Sequence, residues 1–192
     1  MNTTRLEAFS DGVFAIIIMI MVLEMKVPHV GEFAALVPIL PIFLSYLLSF
    51  VYLGIYWNNH HHLFHASEIL AGNVLWANLH LLFWLSLVPF TTGWMGENHF
   101  QTAPVALYGF NLLMAGVAYT ILTKALLSHH SKDSVLGLAL KNDIKGRLSV
   151  LFYVVAIPIA FWSAWVSMAI FALVAIMWLV PDQRIEKRIY PK

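Results

Sequence analysis

The sequence has 192 residues, of which 60% are hydrophobic and 11% charged, and its formal net charge is +1. So little charge cannot cover a water-facing surface, which excludes an ordinary soluble domain, and the near-zero net charge excludes a strongly basic nucleic-acid-binding protein. A chain without cysteine has no disulfides, thiolate metal ligands or cysteine nucleophile. We predict an all-α fold, a polytopic membrane bundle of six transmembrane helices that form one domain over residues 1–192.

The first predicted helix, over about residues 6–25, carries polar groups into the membrane. Its uninterrupted apolar run at 13–23 is too short to cross a bilayer alone, since a span needs about 20 residues. The helix must therefore bring Ser10 and Asp11 to membrane depth before Pro28 ends it. A carboxylate at that depth has to face protein or water, so Asp11 is expected to have a polar partner on another helix or subunit.

Five further helices follow, with short connections between them. Apolar runs and prolines near their ends predict these helices at about 36–56, 74–90, 104–127, 148–161 and 165–180. The longest polar segment, 128–147, contains an apolar patch at 135–140 that is compatible with a short surface helix.

The positions of the positive charges predict the orientation. If the N-terminus is cytoplasmic, Lys26 alone among the 11 lysine and arginine residues falls outside. Cytoplasmic loops are enriched in these residues, so we predict that both termini are cytoplasmic and that the protein is a multi-pass protein of the cell membrane.

The most specific motif of the chain begins the first helix and continues in the next two. Arg5, Phe9, Ser10 and Asp11 form an Arg-x-x-x-Phe-Ser-Asp tract, followed by Gly-Val-Phe-Ala and an isoleucine-rich run. Further matching pieces are Tyr-Trp-Asn-Asn-His-His at 56–61, Trp-Ala-Asn-Leu at 76–79 and Pro-Phe-Thr-Thr at 89–92. Together they resemble the transmembrane protein 175 family, which comprises endosomal and lysosomal potassium channels and their prokaryotic relatives.

The resemblance implies a potassium-preferring cation channel and not an enzyme, with potassium ions and the lipid bilayer as partners and no cofactor. It implies a homotetramer whose pore is lined by the first helix of each subunit. It also implies that the tract of Arg5, Phe9, Ser10 and Asp11 is a structural motif, supported by His60, His61, Trp76 and Asn78. Asn78 is then a candidate partner for Asp11 across helices.

An apolar stripe on the first helix has two interpretations. Ile16, Ile20 and Leu23 share one helical face, and such a stripe alone is typical of a core or lipid-facing surface. The resemblance instead implies pore lining, with Met19 beside the stripe and hydrophobic constriction rings in place of a carbonyl filter. Many relatives carry a hydroxyl residue where this chain has Met19, so conduction is expected more firmly than potassium selectivity.

The histidine-rich end of the second helix leaves other functions open. His61 and His65 have the i, i+4 spacing of helical zinc ligands, although hydrogen bonding is the favoured use and no metal site is predicted. The alternative function is a proton-coupled secondary transporter that uses Asp11 and the helix-two histidines as a relay. A membrane enzyme is disfavoured, since no nucleophile–base pair and no complete metal-ligand set is evident.

Overall fold

The computed structural model describes residues 3–65, 67, 71–129, 137 and 143–179, and every regular element within these ranges is a helix. The first half contains α1 (Thr3–Leu23), a 3-10 segment (Phe33–Ile39), α2 (Leu40–His65), α3 (Gly72–Ser86) and α4 (Val88–Glu97). The second half contains α5 (Thr102–Leu127), α6 (Ile144–Ala160) and α7 (Ala164–Leu179). The predicted all-α fold class is confirmed.

Four described segments are long and apolar enough to cross a membrane, namely Thr3–Leu23, Phe33–His65, Gly72–Glu97 and Thr102–Leu127. α6 and α7 are shorter, with 17 and 16 residues, and the tight turn at 161–163 joins them into a hairpin. The predicted surface helix at 135–140 lies outside the described residues except for Gly137.

Several helix boundaries differ from those predicted from the sequence. α1 ends at Leu23, well before Pro28, and α2 continues about two and a half turns past residue 56, so the histidine cluster lies on the helix itself. The predicted third helix at 74–90 is two helices, α3 and α4, which meet at Leu87. Pro89 lies in the first turn of α4, where its missing N–H leaves no helical hydrogen bond unmade, so α4 can continue to Glu97.

Successive membrane segments run in opposite directions. Hydrogen bonds join the start of α1 to the end of α2 and the start of α3 through Ser10, His60 and Asn78. The Trp178 indole N–H donates to Ser149 Oγ over 2.8 Å, so the end of α7 lies beside the start of α6. Asn59, Ser149 and Trp178 line one common cavity, which places these helix ends together. We call this the inner end of the bundle, and both Thr3 and Leu179 belong to it.

Two apolar clusters hold the bundle together, and α5 contributes to both. The first joins α1, α2, α3 and α5 through residues such as Phe14, Leu53, Leu81 and Leu122. The second joins α2 and α4–α7 through residues such as Tyr52, Met95, Tyr108, Tyr153 and Phe171. The arrangement leaves α1 at the edge of the bundle, with one side packed against it and the other side exposed on the described chain.

Buried hydroxyl groups connect the helices of the second cluster. Ser49 Oγ lies 2.6 Å from Thr92 Oγ1 and 3.0 Å from the Tyr108 hydroxyl, so α2, α4 and α5 share one hydrogen-bonded group. Such interhelical hydrogen bonds stabilise bundles in a solvent that offers no alternative partner.

Candidate functional site

α1 has two different faces. The buried face consists of residues at helical spacing that pack into the bundle, namely Leu6, Ser10, Phe14, Ile17 and Met21. The four predicted pore residues are exposed, with exposed fractions of 60% for Ile16, 65% for Met19, 41% for Ile20 and 75% for Leu23. Because each helical residue turns about 100°, these four residues occupy an arc of roughly 100°. We call them the outer face of α1.

The outer face is apolar and directed away from the rest of the described chain. By the same helical arithmetic it is centred roughly 130° from the buried face. Val22, which is 43% exposed, lies about 160° from Ile20 and about 60° from Met19 around α1. The arc of the outer face also carries two exposed residues nearer the start of the helix, Arg5 and Phe9.

A fully buried polar chain attaches α1 to α2 and α3. Asn78 Nδ2 donates to Ser10 Oγ over 3.0 Å, and Asn78 Oδ1 lies 2.8 Å from His60 Nε2. All three side chains have an exposed fraction of 0%. Each of the three groups comes from a different helix, so the chain fixes both the depth and the rotation of α1 against its neighbours.

The donor and acceptor of each hydrogen bond among Ser10, Asn78 and His60 can be assigned by starting from Ser10. The Ser10 hydroxyl donates to the Leu6 carbonyl oxygen over 2.9 Å, so its oxygen can only accept from Asn78. Asn78 must then turn its amide nitrogen to Ser10 and its oxygen to His60. Because an amide oxygen only accepts, His60 Nε2 carries a proton and donates it. His60 Nδ1 has no hydrogen-bond partner in the described part of the chain.

Two weaker contacts tie the same part of α1 to α2 near the surface. The Trp57 indole N–H donates to Asp11 Oδ1 over 2.9 Å. The Glu7 carboxylate lies 3.5 Å from His61 Nδ1. Asp11 therefore has its partner on a neighbouring helix, as predicted, but the partner is Trp57, and the suggested pairing with Asn78 is wrong.

The remaining predicted motif residues are placed apart from the buried chain. Arg5 is exposed and Phe9 is 53% exposed, so neither packs into the core of the single chain. Trp76 is 75% exposed on α3 and has no hydrogen bond to Ser10, His60 or Asn78. Trp57 takes the position that was expected of Trp76. Trp57 lies one helical turn before His60 and His61, and this spacing could have identified it as a member of the same network.

The histidine cluster forms no described metal site. His61 and His65 stack with ring centroids 5.9 Å apart. Over residues 3–65, 67, 71–129, 137 and 143–179, no group of three or more histidine, cysteine, aspartate or glutamate residues could hold a metal ion. His61 instead lies near the Glu7 carboxylate, and His60 belongs to the buried chain, which is the hydrogen-bonding use favoured from the sequence.

Comparisons with known proteins point to one family. Residues 5–89 match the family described as endosomal/lysosomal potassium channel TMEM175. A potassium channel of Chryseobacterium sp. is 52% identical over 187 residues, which covers 97% of each chain. A potassium channel of Chamaesiphon minutus is 32% identical over 192 residues, covering 91% of this chain and 92% of the relative. The crystal structure of a lysosomal potassium-selective channel TMEM175 homolog from that organism superposes with a TM-score of 0.79 at 30% identity, covering 94% of this chain and 97% of the other.

Proposed function

The chain belongs to the TMEM175 family, and from this premise we propose that it is a potassium-preferring cation channel, a homotetramer in which four copies of α1 surround the pore. Its relatives are named potassium channels, and none of those compared is named an enzyme. In this proposal the protein lies in the cell membrane and potassium ions are the permeant species.

The observation that supports this proposal best is the contrast between the two faces of α1. One face is fixed by the buried chain of Ser10, Asn78 and His60, while the residues of the outer face are exposed on the described chain. The buried polar groups set the rotation of α1, and a fixed rotation is what a helix requires if it is to present chosen side chains to a central axis.

The outer face supplies the barrier in this proposal. Ile16, Ile20 and Leu23 form successive apolar rings around the axis, with Met19 between them. A narrow apolar ring excludes water, and an ion that enters it loses hydration without gaining ligands. A small widening of the ring readmits water, so this arrangement can gate conduction without a carbonyl filter.

The tract of Arg5, Phe9, Ser10 and Asp11 acts as the support of the pore helix in this proposal. Ser10 and Asp11 hold α1 against α2 and α3. Arg5 and Phe9 are exposed on the single chain, so we assign them to contacts with a neighbouring subunit.

The structure supports the channel over a proton-coupled carrier. A relay between Asp11 and the histidines of α2 requires a hydrogen-bonded path from one to the other. Asp11 accepts from Trp57, while His60 donates to Asn78, and no hydrogen bond between described residues joins Asp11 to either His60 or His61.

Flux measurements with purified protein in liposomes test the proposed function. We expect potassium to move down its own gradient without a second solute, and faster than sodium under matched gradients. Flux that depends on an opposing proton gradient would contradict the channel and support the carrier. Protein-free liposomes are the control for leakage.

A further inference from the structure

We propose that a groove between α5 and α6, at the inner end of the bundle, binds the phosphate-bearing headgroup of an anionic phospholipid. The groove has a volume of about 470 Å³, and its walls come from the last three turns of α5 and the first two turns of α6. It is separate from α1 and from the buried chain of Ser10, Asn78 and His60, so it does not belong to the proposed pore.

Two cationic side chains line the groove. Lys124 and Arg147 both line it, and both are exposed. Neither belongs to either of the salt bridges found within the described ranges, which join Lys26 to Glu97 and His61 to Glu7. Basic side chains between membrane helices, at the level of the headgroups, are typical of anionic lipid sites.

A buried hydroxyl supplies independent support for a ligand. Thr123 lines the groove, is 9% exposed, and its Oγ1 has no hydrogen-bond partner among the described residues. A threonine in a helix commonly donates to the carbonyl one turn earlier, as Thr120 does to the Gly116 oxygen over 2.9 Å. Thr123 does not, so its buried Oγ1 is left without a partner beside the groove, and a rotation of the side chain towards the groove would let the O–H donate to a phosphate oxygen.

The start of α6 adds to the attraction for a phosphate. Helix N-termini favour anions, because their first N–H groups are free and the helix dipole is positive there. Asp143 also lines the groove, but its Oδ1 accepts from the Gly146 N–H over 2.9 Å as the helix cap. The charged residues that line the groove are thus two cations, Lys124 and Arg147, and one carboxylate, Asp143, which leaves a net positive charge.

The order of side chains along the groove favours a lipid over free phosphate. Lys124 lies in the last turn of α5 and Arg147 in the first turn of α6, whereas Val117, Ile121 and Val150 continue the groove away from these helix ends. A phosphate ion would use only the charged end. A phospholipid would fill both parts, with its headgroup on the cations and an acyl chain along the apolar wall.

Native mass spectrometry of the full-length protein tests this proposal, with titrations of phosphatidylglycerol and of phosphatidylcholine. We expect tighter retention of phosphatidylglycerol, and the double variant Lys124→Gln/Arg147→Gln should lose roughly five-fold in its affinity for each cation removed. Thr123→Val, which keeps the shape but removes the O–H, should also weaken phosphatidylglycerol and leave phosphatidylcholine unchanged. Lys26→Gln, which removes the same charge elsewhere, should match the wild type.

Three outcomes would overturn the proposal. The first is equal retention of the two lipids by the wild type. The second is full phosphatidylglycerol affinity in the double variant. The third is a thermal stabilisation by inorganic phosphate alone that equals that of the lipid, because the groove would then be a site for the free ion. Thermal unfolding in phosphatidylcholine checks that each variant is folded, so a loss of binding cannot be mistaken for a loss of structure.

Discussion

The Ser10 hydroxyl is the last group of the buried chain that runs from His60 through Asn78. It accepts a hydrogen bond from Asn78 and donates one to the Leu6 carbonyl oxygen. The two outer links share one orientation of the Asn78 amide, because turning its nitrogen to Ser10 also turns its oxygen to His60. Buried polar groups without a partner cost far more than exposed ones, so this small group determines how firmly α1 is attached.

Replacing Ser10 by alanine should therefore destabilise the protein. The Asn78 amide would lose its acceptor in a buried site, at a cost of about 1–3 kcal/mol. Thermal unfolding in detergent measures the loss. Ser86→Ala is the matched control, because Ser86 also donates to a carbonyl of its own helix but is exposed, and its effect should stay within about 0.5 kcal/mol. Equal effects of the two variants would show that the buried chain does not anchor α1.

A substitution at Met19 should change the selectivity for potassium over sodium. Its side chain is 65% exposed and lies within the outer face. A thioether is a poor substitute for a water molecule around a potassium ion, whereas a hydroxyl oxygen can replace one. Met19→Thr should raise the potassium-to-sodium ratio, measured as relative flux into liposomes. An unchanged ratio would mean that position 19 does not contact permeant ions.

Sequence reasoning at the level of single residues identified which groups are unusual, but not all of their partners. It is correct that Asn78 forms hydrogen bonds across helices, since an amide in an apolar helix needs such partners. It assigned Asn78 to Asp11 because a sequence gives the face of each helix but not the depth at which two helices meet. A shift of one residue in the register between α1 and α3 decides whether Asn78 contacts Ser10 or Asp11.

At the scale of elements, hydrophobic runs locate helices better than they locate helix ends. The histidine-rich continuation of α2 to His65 is polar, so an apolar run underestimates that helix by several residues. The division between α3 and α4 likewise cannot be read from Pro89 alone, because a proline can end one helix or begin the next. The two apolar faces of α1, in contrast, follow directly from the helical repeat.

The close approach of α2 and α4 depends on a glycine that the sequence analysis did not single out. A Cβ added at Gly96 would lie 2.7 Å from the Ile42 Cα and 2.5 Å from Ser45 Oγ, so the two helices would have to separate. Small residues at such crossings let helix backbones pack closely in membranes.

Gly96→Ala should lower the thermal stability, although alanine is the better helix former by about 1 kcal/mol. Gly54→Ala is the control within a neighbouring helix, because a Cβ there meets nothing within 4 Å, and it should be neutral or stabilising. If Gly96→Ala behaved like Gly54→Ala, the α2–α4 contact would have to be looser than the structure indicates.

In the whole molecule, alternating helix directions put the two described ends of the chain at the same end of the bundle. The sequence suggested this through the distribution of lysine and arginine, which also predicts that the shared side is cytoplasmic. What no single sequence shows is how copies of the chain meet, since the outer face of α1 looks the same whether it contacts lipid, a subunit or a pore.

The orientation can be tested with cysteines, because the chain contains none. Gln101→Cys lies at the end of the bundle predicted to be outside, and Ser128→Cys lies at the inner end, both at exposed positions. An impermeant thiol reagent added to intact cells should label position 101 and not position 128. Labelling of position 128 alone would reverse the predicted orientation.

A pair of serine variants tests whether the outer face of α1 lines the pore of an assembled channel. Ile20 and Val22 are 41% and 43% exposed on the single chain but point in nearly opposite directions from α1. In matched liposomes with equal amounts of assembled protein, Ile20→Ser should raise potassium flux about tenfold, which corresponds to lowering the apolar barrier by about 1.4 kcal/mol. Val22→Ser should conduct like the wild type. Increased flux through Val22→Ser together with unchanged flux through Ile20→Ser would contradict the claim and assign the outer face to lipid.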